Sequence, residues 1–249
     1  MTKNRQNGGY TLREIGVVIV IIGILRSLTF KSLRTTGDIA RTEETRKELD
    51  RLAGAIIGQP EINNSGSRNN YGYLGDIGAL PHNLEALFQN PGGLATWRGP
   101  YIRDDFYSDS TSRNFKKDAW GVNYIYSGGL TLSSTGGGTP LTRQIAPSLD
   151  DLLYNKVVVV VTDLNNTPPG TVFKDSVRFV LRCPDGYGSY RFLNRNPDFN
   201  GMAGFDSIPI GLHELRLVYQ PDKDTLLRRI NVDIGSDSYL QMNLFKDVW

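Results

Sequence analysis

The chain has 249 residues, with 28 Lys and Arg against 26 Asp and Glu for a formal net charge of +2. No basic tract of the kind that neutralises a phosphate backbone occurs, so composition gives a nucleic-acid partner no support. Hydrophobic residues at 39% and aromatics at 10% supply enough apolar surface for a core and exclude wholesale disorder. At about 150 residues per domain the length suits one or two folded units. A single cysteine, Cys183, excludes an intrachain disulfide, and with only His82 and His213 beside it the usual zinc sites are out of reach. No metal and no cofactor is expected.

The chain starts with a polar leader, residues 1–9, carrying Lys3 and Arg5 and ending in Gly8-Gly9; Tyr10-Thr11-Leu12-Arg13-Glu14 and the apolar run Ile15 to Leu25 follow. By length alone that run suits a secretory h-region, a buried helix or a weak membrane helix. A secretory signal needs a small-x-small cleavage site after the run, and Arg26-Ser27-Leu28-Thr29-Phe30-Lys31 offers none, so the break is placed before it. As a helix, Tyr10 to Phe30 measures about 31 Å at 1.5 Å per residue. That predicts a single crossing of an inner membrane with Arg26 snorkelling, and Lys3 and Arg5 put everything after the helix on the far, periplasmic or extracellular side.

Gly9-Tyr10-Thr11-Leu12-Arg13-Glu14 resembles the start of the type IV pilin and type II secretion pseudopilin family. The resemblance implies that a prepilin peptidase cuts after Gly9 and methylates the new amine of Tyr10. It also implies that Glu14, at the fifth mature position, pairs with the amine of a neighbouring subunit during assembly, since a carboxylate in an apolar helix is costly unless paired. Arg13 stands where the family usually has an apolar residue and competes for Glu14. Arg26 interrupts the segment, and the small-residue and proline stretch of many relatives is missing.

Beyond Gly37, apolar residues at 39, 49, 52, 53 and 56 form one narrow helical stripe, and Glu43 with Lys47 and Arg46 with Asp50 support a solvated face. The expectation is an assembly helix over residues 10–60, bent at Thr35-Thr36-Gly37 and ended by Gln59-Pro60, packed on a globular head of residues 61–132. In that head a short helix, Asn83 to Gln89, precedes Asn90-Pro91, Trp97-Arg98-Gly99-Pro100-Tyr101 and Asp118-Ala119-Trp120-Gly121-Val122-Asn123-Tyr124. This series resembles the major pseudopilin of type II secretion. Trp97 and Trp120 are expected in core packing. The acidic calcium loop of that family has no counterpart, because the matching stretch Ser127 to Gly136 contains no carboxylate. Asp104, Asp105, Asp109 and Asp118 are expected in a solvated loop.

Residues 133–148, rich in Gly, Ser, Thr and Pro, predict a linker. Past it, strands are expected over Lys156 to Thr162, Val177 to Cys183, Ser189 to Leu193, His213 to Tyr219, Leu226 to Ile234 and Tyr239 to Phe245, an antiparallel β-sandwich of residues 149–249. Val161-Thr162-Asp163 and Ile208-Pro209-Ile210-Gly211-Leu212-His213 resemble carboxypeptidase regulatory-like, transthyretin-type sandwiches, which are non-catalytic. No nucleophile with a base is visible: His213 and Glu214 point to opposite faces of one strand, and His82 reads as a surface residue. Cys183 reads as a buried strand residue, with an intersubunit disulfide as the other possibility.

The sequence thus predicts an α+β chain: a long N-terminal helix on a small antiparallel sheet, then a separate all-β sandwich. The function expected is a non-enzymatic filament subunit that assembles with other pilin-like subunits in a type II secretion pseudopilus or type IV pilus. The alternative is a membrane-anchored ligand-binding protein or adhesin that uses the sandwich.

Overall fold

A computed structural model describes residues 12–59, 63–64, 67–68, 70–103 and 114–249, with side chains for all of these except 27–35, 63–64, 67 and 114. Helix α1, Leu12–Ile57, runs for 46 residues, about 69 Å at 1.5 Å per residue. Its side chains are described over 12–26 and 36–57, and the two parts differ. In the first part the apolar residues lie exposed on every side; in the second, Thr45, Leu49, Leu52, Ala53 and Ile56 are buried at steps of three and four, the spacing of one helix face. Ile39, expected on that stripe, is 61% exposed because the head reaches only as far as Thr45. Gly58, and not Gln59-Pro60, stops the helix: its φ is +80° and a Cβ there would fall 2.1 Å from the Asn70 carbonyl oxygen, so only glycine closes the helix this way.

The membrane crossing expected from the sequence is overturned. Among the described residues no helix is long and apolar enough to cross a membrane. The apolar run itself, Ile15 to Leu25, has eleven residues, about half of the roughly 20 that a crossing takes. The inner-membrane placement inferred from that crossing therefore falls.

After α1 come the short pair β1 (Asn63–Asn64) and β2 (Ser67–Arg68), then α2 (Gly72–Ile77), which buries Tyr73, Leu74 and Ile77. The helix expected over 83–89 is one tight turn, Leu84–Leu87, whose N-terminus is capped by Asn83 accepting from the Ala86 amide at 3.2 Å.

The expected linker is not one. β3 (Thr131–Ser134) and β4 (Leu141–Gln144) form an antiparallel hairpin against α1, with Leu132, Ile145 and Ala146 buried in the same core as Leu52 and Ile56. The glycines at its tip serve close approach. A Cβ on Gly136 would meet the Asp118 carboxylate at 2.3 Å, and one on Gly137 the Trp120 ring at 2.9 Å. Composition signalled flexibility where the structure uses the missing side chains.

Ser148 caps α3 (Leu149–Leu153), accepting from the Asp151 amide at 3.1 Å. There follow β5 (Asn155–Thr162), α4 (Gly170–Phe173), β6 (Val177–Pro184), β7 (Tyr190–Arg195), β8 (Met202–Ile208), β9 (Gly211–Tyr219), β10 (Asp224–Val232) and β11 (Ser238–Asn243). A four-stranded sheet, β10-β9-β6-β7, faces a three-stranded sheet, β11-β5-β8. Their inward residues interleave into a core of Val157, Val159, Val161, Phe179, Leu181, Phe205, Leu215 and Leu217. β11 pairs parallel with β5, so the sandwich is mixed and not purely antiparallel. The chain is thus α+β with a β-rich C-terminal part.

Head and sandwich meet along a built seam. Leu152 and Ile210 are fully buried in the head core, and the Ile210 amide donates to the Leu152 carbonyl at 2.9 Å. The Gly186 amide donates to the Ile77 carbonyl at 2.8 Å. Buried Arg68 donates to the Ile57 carbonyl at 2.6 Å and pairs with Asp233 at 3.3 Å, tying the end of α1 to the sandwich.

Candidate assembly surface

The first turns of α1 present ten large apolar side chains to solvent: Leu12, Ile15, Val17, Val18, Ile19, Val20, Ile21, Ile22, Ile24 and Leu25. A helix that is apolar all round belongs inside a bundle or a lipid phase and not in water. Arg13, Glu14, Val17 and Val18 line one shallow hollow at its start, as the i, i+4 spacing dictates. Arg13 and Glu14, singled out in the sequence, thus share one face with two valines. Gly9 and Tyr10 lie outside the described residues, as do Asp104, Asp105 and Asp109.

The other end of α1 is anchored by polar contacts that hold its direction. Thr45 Oγ1 accepts from the Ala119 amide at 3.2 Å. Glu48 accepts from the Tyr124 hydroxyl; burial raises the carboxyl above its ordinary range and the Tyr124 bond offsets part of that. Arg143 on β4 pairs with Asp50 at 2.7 Å.

Asp118 corrects a sequence expectation. It is buried, not solvated. One oxygen accepts from the Trp120 and Val122 amides at 3.0 and 2.9 Å, the other from the Ser134 hydroxyl at 2.5 Å and the Gly136 amide at 3.1 Å. The carboxylate therefore welds the Trp120-Gly121 turn to the β3–β4 hairpin. The Asp-x-Trp-Gly spacing signalled this turn; the hairpin donors, sixteen and eighteen residues on, left no local mark. Trp97 is packed, donating to the Ala86 carbonyl at 3.0 Å and meeting Tyr101 edge-on at 5.6 Å between ring centres.

The histidines and the cysteine fall in different settings. His82 is exposed. His213 is buried and its Nε2–H donates to the Pro209 carbonyl at 2.7 Å; burial pushes its pKa down to about 4, so it stands neutral. Cys183 is buried on β6, its thiol pushed up by burial, and its sulfur accepts from Arg191 Nε at 3.2 Å. Among the described residues no group of three His, Cys, Asp or Glu side chains is placed to hold a metal ion.

No family model matches the chain. Over 95 residues it is 30% identical to the type II secretion system core protein G of Xanthomonas campestris pv. campestris, covering 38% of this chain and 57% of that protein. Over 124 residues it is 27% identical to the protein of the same name from Pseudomonas aeruginosa, covering 50% of this chain and 75% of that one. The chain thus spans little more than half of the first relative. Both relatives bear the name of a type II secretion system core protein, at low identity over part of this chain, and they give the adhesin reading no support. Among solved structures, the major pilin subunit of Bacillus cereus matches at 11% identity and a TM-score of 0.25, over 45% of this chain and 36% of that one. A likeness of that size carries no argument.

Proposed function

We propose that this chain is a non-enzymatic structural subunit of a type II secretion pseudopilus-like filament, assembled through the first turns of α1 and acting in protein export. The observation that carries the reading is the division of α1: its last turns are built into the head, while its first turns present apolar surface on every side. Fully burying each such Val, Leu or Ile side chain is worth about 1.5–3 kcal/mol. Copies that pack these helices side by side gain that term many times over. Cleavage after Gly9 by a prepilin peptidase would expose the Tyr10 amine as the partner for Glu14 of a neighbour. The head and sandwich, held together by their seam, would then ride on the filament surface.

Glu14→Ala tests the reading. Filament incorporation should fall by an order of magnitude or more while cleavage and the folded head persist, because the Tyr10 amine loses its partner inside an apolar bundle. If Arg13 is instead the partner, adding Arg13→Leu restores part of the assembly. Normal filament yield from Glu14→Ala alone would defeat both versions.

A further inference from the structure

A narrow cleft of about 180 Å3 opens where the head meets the outer face of the four-stranded sheet. At about 30 Å3 per water molecule it has room for one small charged group and a short stem, not for a polymer. The sheet register brings its chemistry together. Arg182 on β6 lies opposite Glu214 on β9, and Glu214 lies opposite Arg229 on β10, so two arginines flank one carboxylate across neighbouring strands. From the head, Arg98 Nη2 donates to the Tyr190 hydroxyl at 3.1 Å, while the Arg182 guanidinium stacks 4.0 Å over the same tyrosine ring. Two cations therefore converge on one side chain from two parts of the fold.

The carboxylates present do not satisfy them. Arg98 Nε stands 3.8 Å from Asp76, and Arg182 Nη1 stands 3.6 Å from Glu214, both too long for a hydrogen bond. Asp76 is already engaged by the Tyr101 hydroxyl at 2.8 Å, and the other Glu214 oxygen by Arg216 at 3.1 Å. Arg229 makes no ion pair among the described residues. Among the residues that line the cleft, Arg98, Arg182 and Arg229 against Asp76 and Glu214 leave a surplus of one positive charge. Guanidinium forks with donors to spare are the complement of a planar carboxylate or a tetrahedral phosphate.

We propose that this cleft binds an oxyanion group, a carboxylate or a phosphate, held by Arg98 from the head and by Arg182 and Arg229 from the sandwich. The bound group bridges the two parts and tightens the seam. Calorimetric titration of the full chain in neutral detergent, at constant ionic strength, tests this with inorganic phosphate in one arm and glutarate in the other. One-to-one saturable binding of either probe is expected, and the tighter arm identifies the natural chemistry. Arg98→Gln and Arg229→Gln should each weaken it about tenfold, the size of one charge-assisted hydrogen bond. Glu214→Gln, which removes the competing carboxylate, should strengthen it by a similar factor, an effect that a purely structural role for this cluster would not produce. Arg228→Gln, on the other face of β10, should leave it unchanged. No saturable binding of either anion up to about 20 mM, well beyond a millimolar site, or unchanged affinity in both arginine variants, would overturn the proposal.

Discussion

Replacing Asp118 by Asn keeps the volume and removes the charge of the residue that joins the Trp120-Gly121 turn to the β3–β4 hairpin. The side chain accepts four hydrogen bonds, two on each oxygen. Asn keeps one carbonyl oxygen, which can still serve Trp120 and Val122, but turns an NH2 group toward Ser134 and Gly136. The Ser134 hydroxyl can rotate to accept. The Gly136 amide cannot, and it meets a donor at a site with no room to retreat. With about 1.5–3 kcal/mol per hydrogen bond to a charged group, one bond lost and three weakened amount to about 2–4 kcal/mol. For a folded unit of this size each kcal/mol moves the midpoint by about 2–4 °C, so a fall of the order of 10 °C is expected. Thermal unfolding of the full chain in neutral detergent, followed by near-ultraviolet circular dichroism at Trp97 and Trp120, reads it directly. A midpoint within about 2 °C of the parent would refute the claim that this carboxylate holds the hairpin to the head.

His213 titrates at about 4 in the fold against an ordinary 6.5. The unfolded chain therefore binds the extra proton first, and the His213 contribution is complete above pH 6.5 and lost as pH falls toward 4, by about 3 kcal/mol in all. His213→Gln should flatten that part of the stability–pH curve; an unchanged slope between pH 6.5 and 4 would contradict the burial. The isolated piece Ser148–Trp249 should unfold more easily than the same residues in the full chain, because Leu152 and Ile210 lose the head core, at about 1.5–3 kcal/mol each. Equal stability would show that the seam contributes nothing.

Much of the architecture was legible because it is written in local signals. The apolar stretches expected as strands over Lys156 to Thr162 and Val177 to Cys183 fall within β5 and β6, and Leu49, Leu52, Ala53 and Ile56 of the expected stripe are buried on one helix face. What escaped depends on residues distant in sequence. Met202–Ile208 carries little β signal in Met-Ala-Gly-Phe-Asp-Ser-Ile and becomes β8 because its register with β5 seats Ala203 and Phe205 in the core. Residues 133–148 read as a linker by composition, yet Gly136 and Gly137 are small because Asp118 and Trp120 press against them. The membrane crossing was over-read from an apolar run of eleven residues, Ile15 to Leu25, against the roughly 20 that a crossing takes. At the assembly surface, Arg13 and Glu14 could be named from a motif, while the oxyanion cleft, built from Arg98, Arg182 and Arg229, has no linear signature at all.

The central claim is that the first turns of α1 pack against the same turns of other copies. A photocrosslinking amino acid placed at Ile19, 64% exposed in the single chain, tests it most directly in sheared filaments. The account predicts a ladder of crosslinked copies whose joined peptides both fall within residues 12–25, with no ladder when the group is placed at exposed Tyr187 on the sandwich. Intact filaments in which Ile19 forms no crosslink to another copy would contradict it.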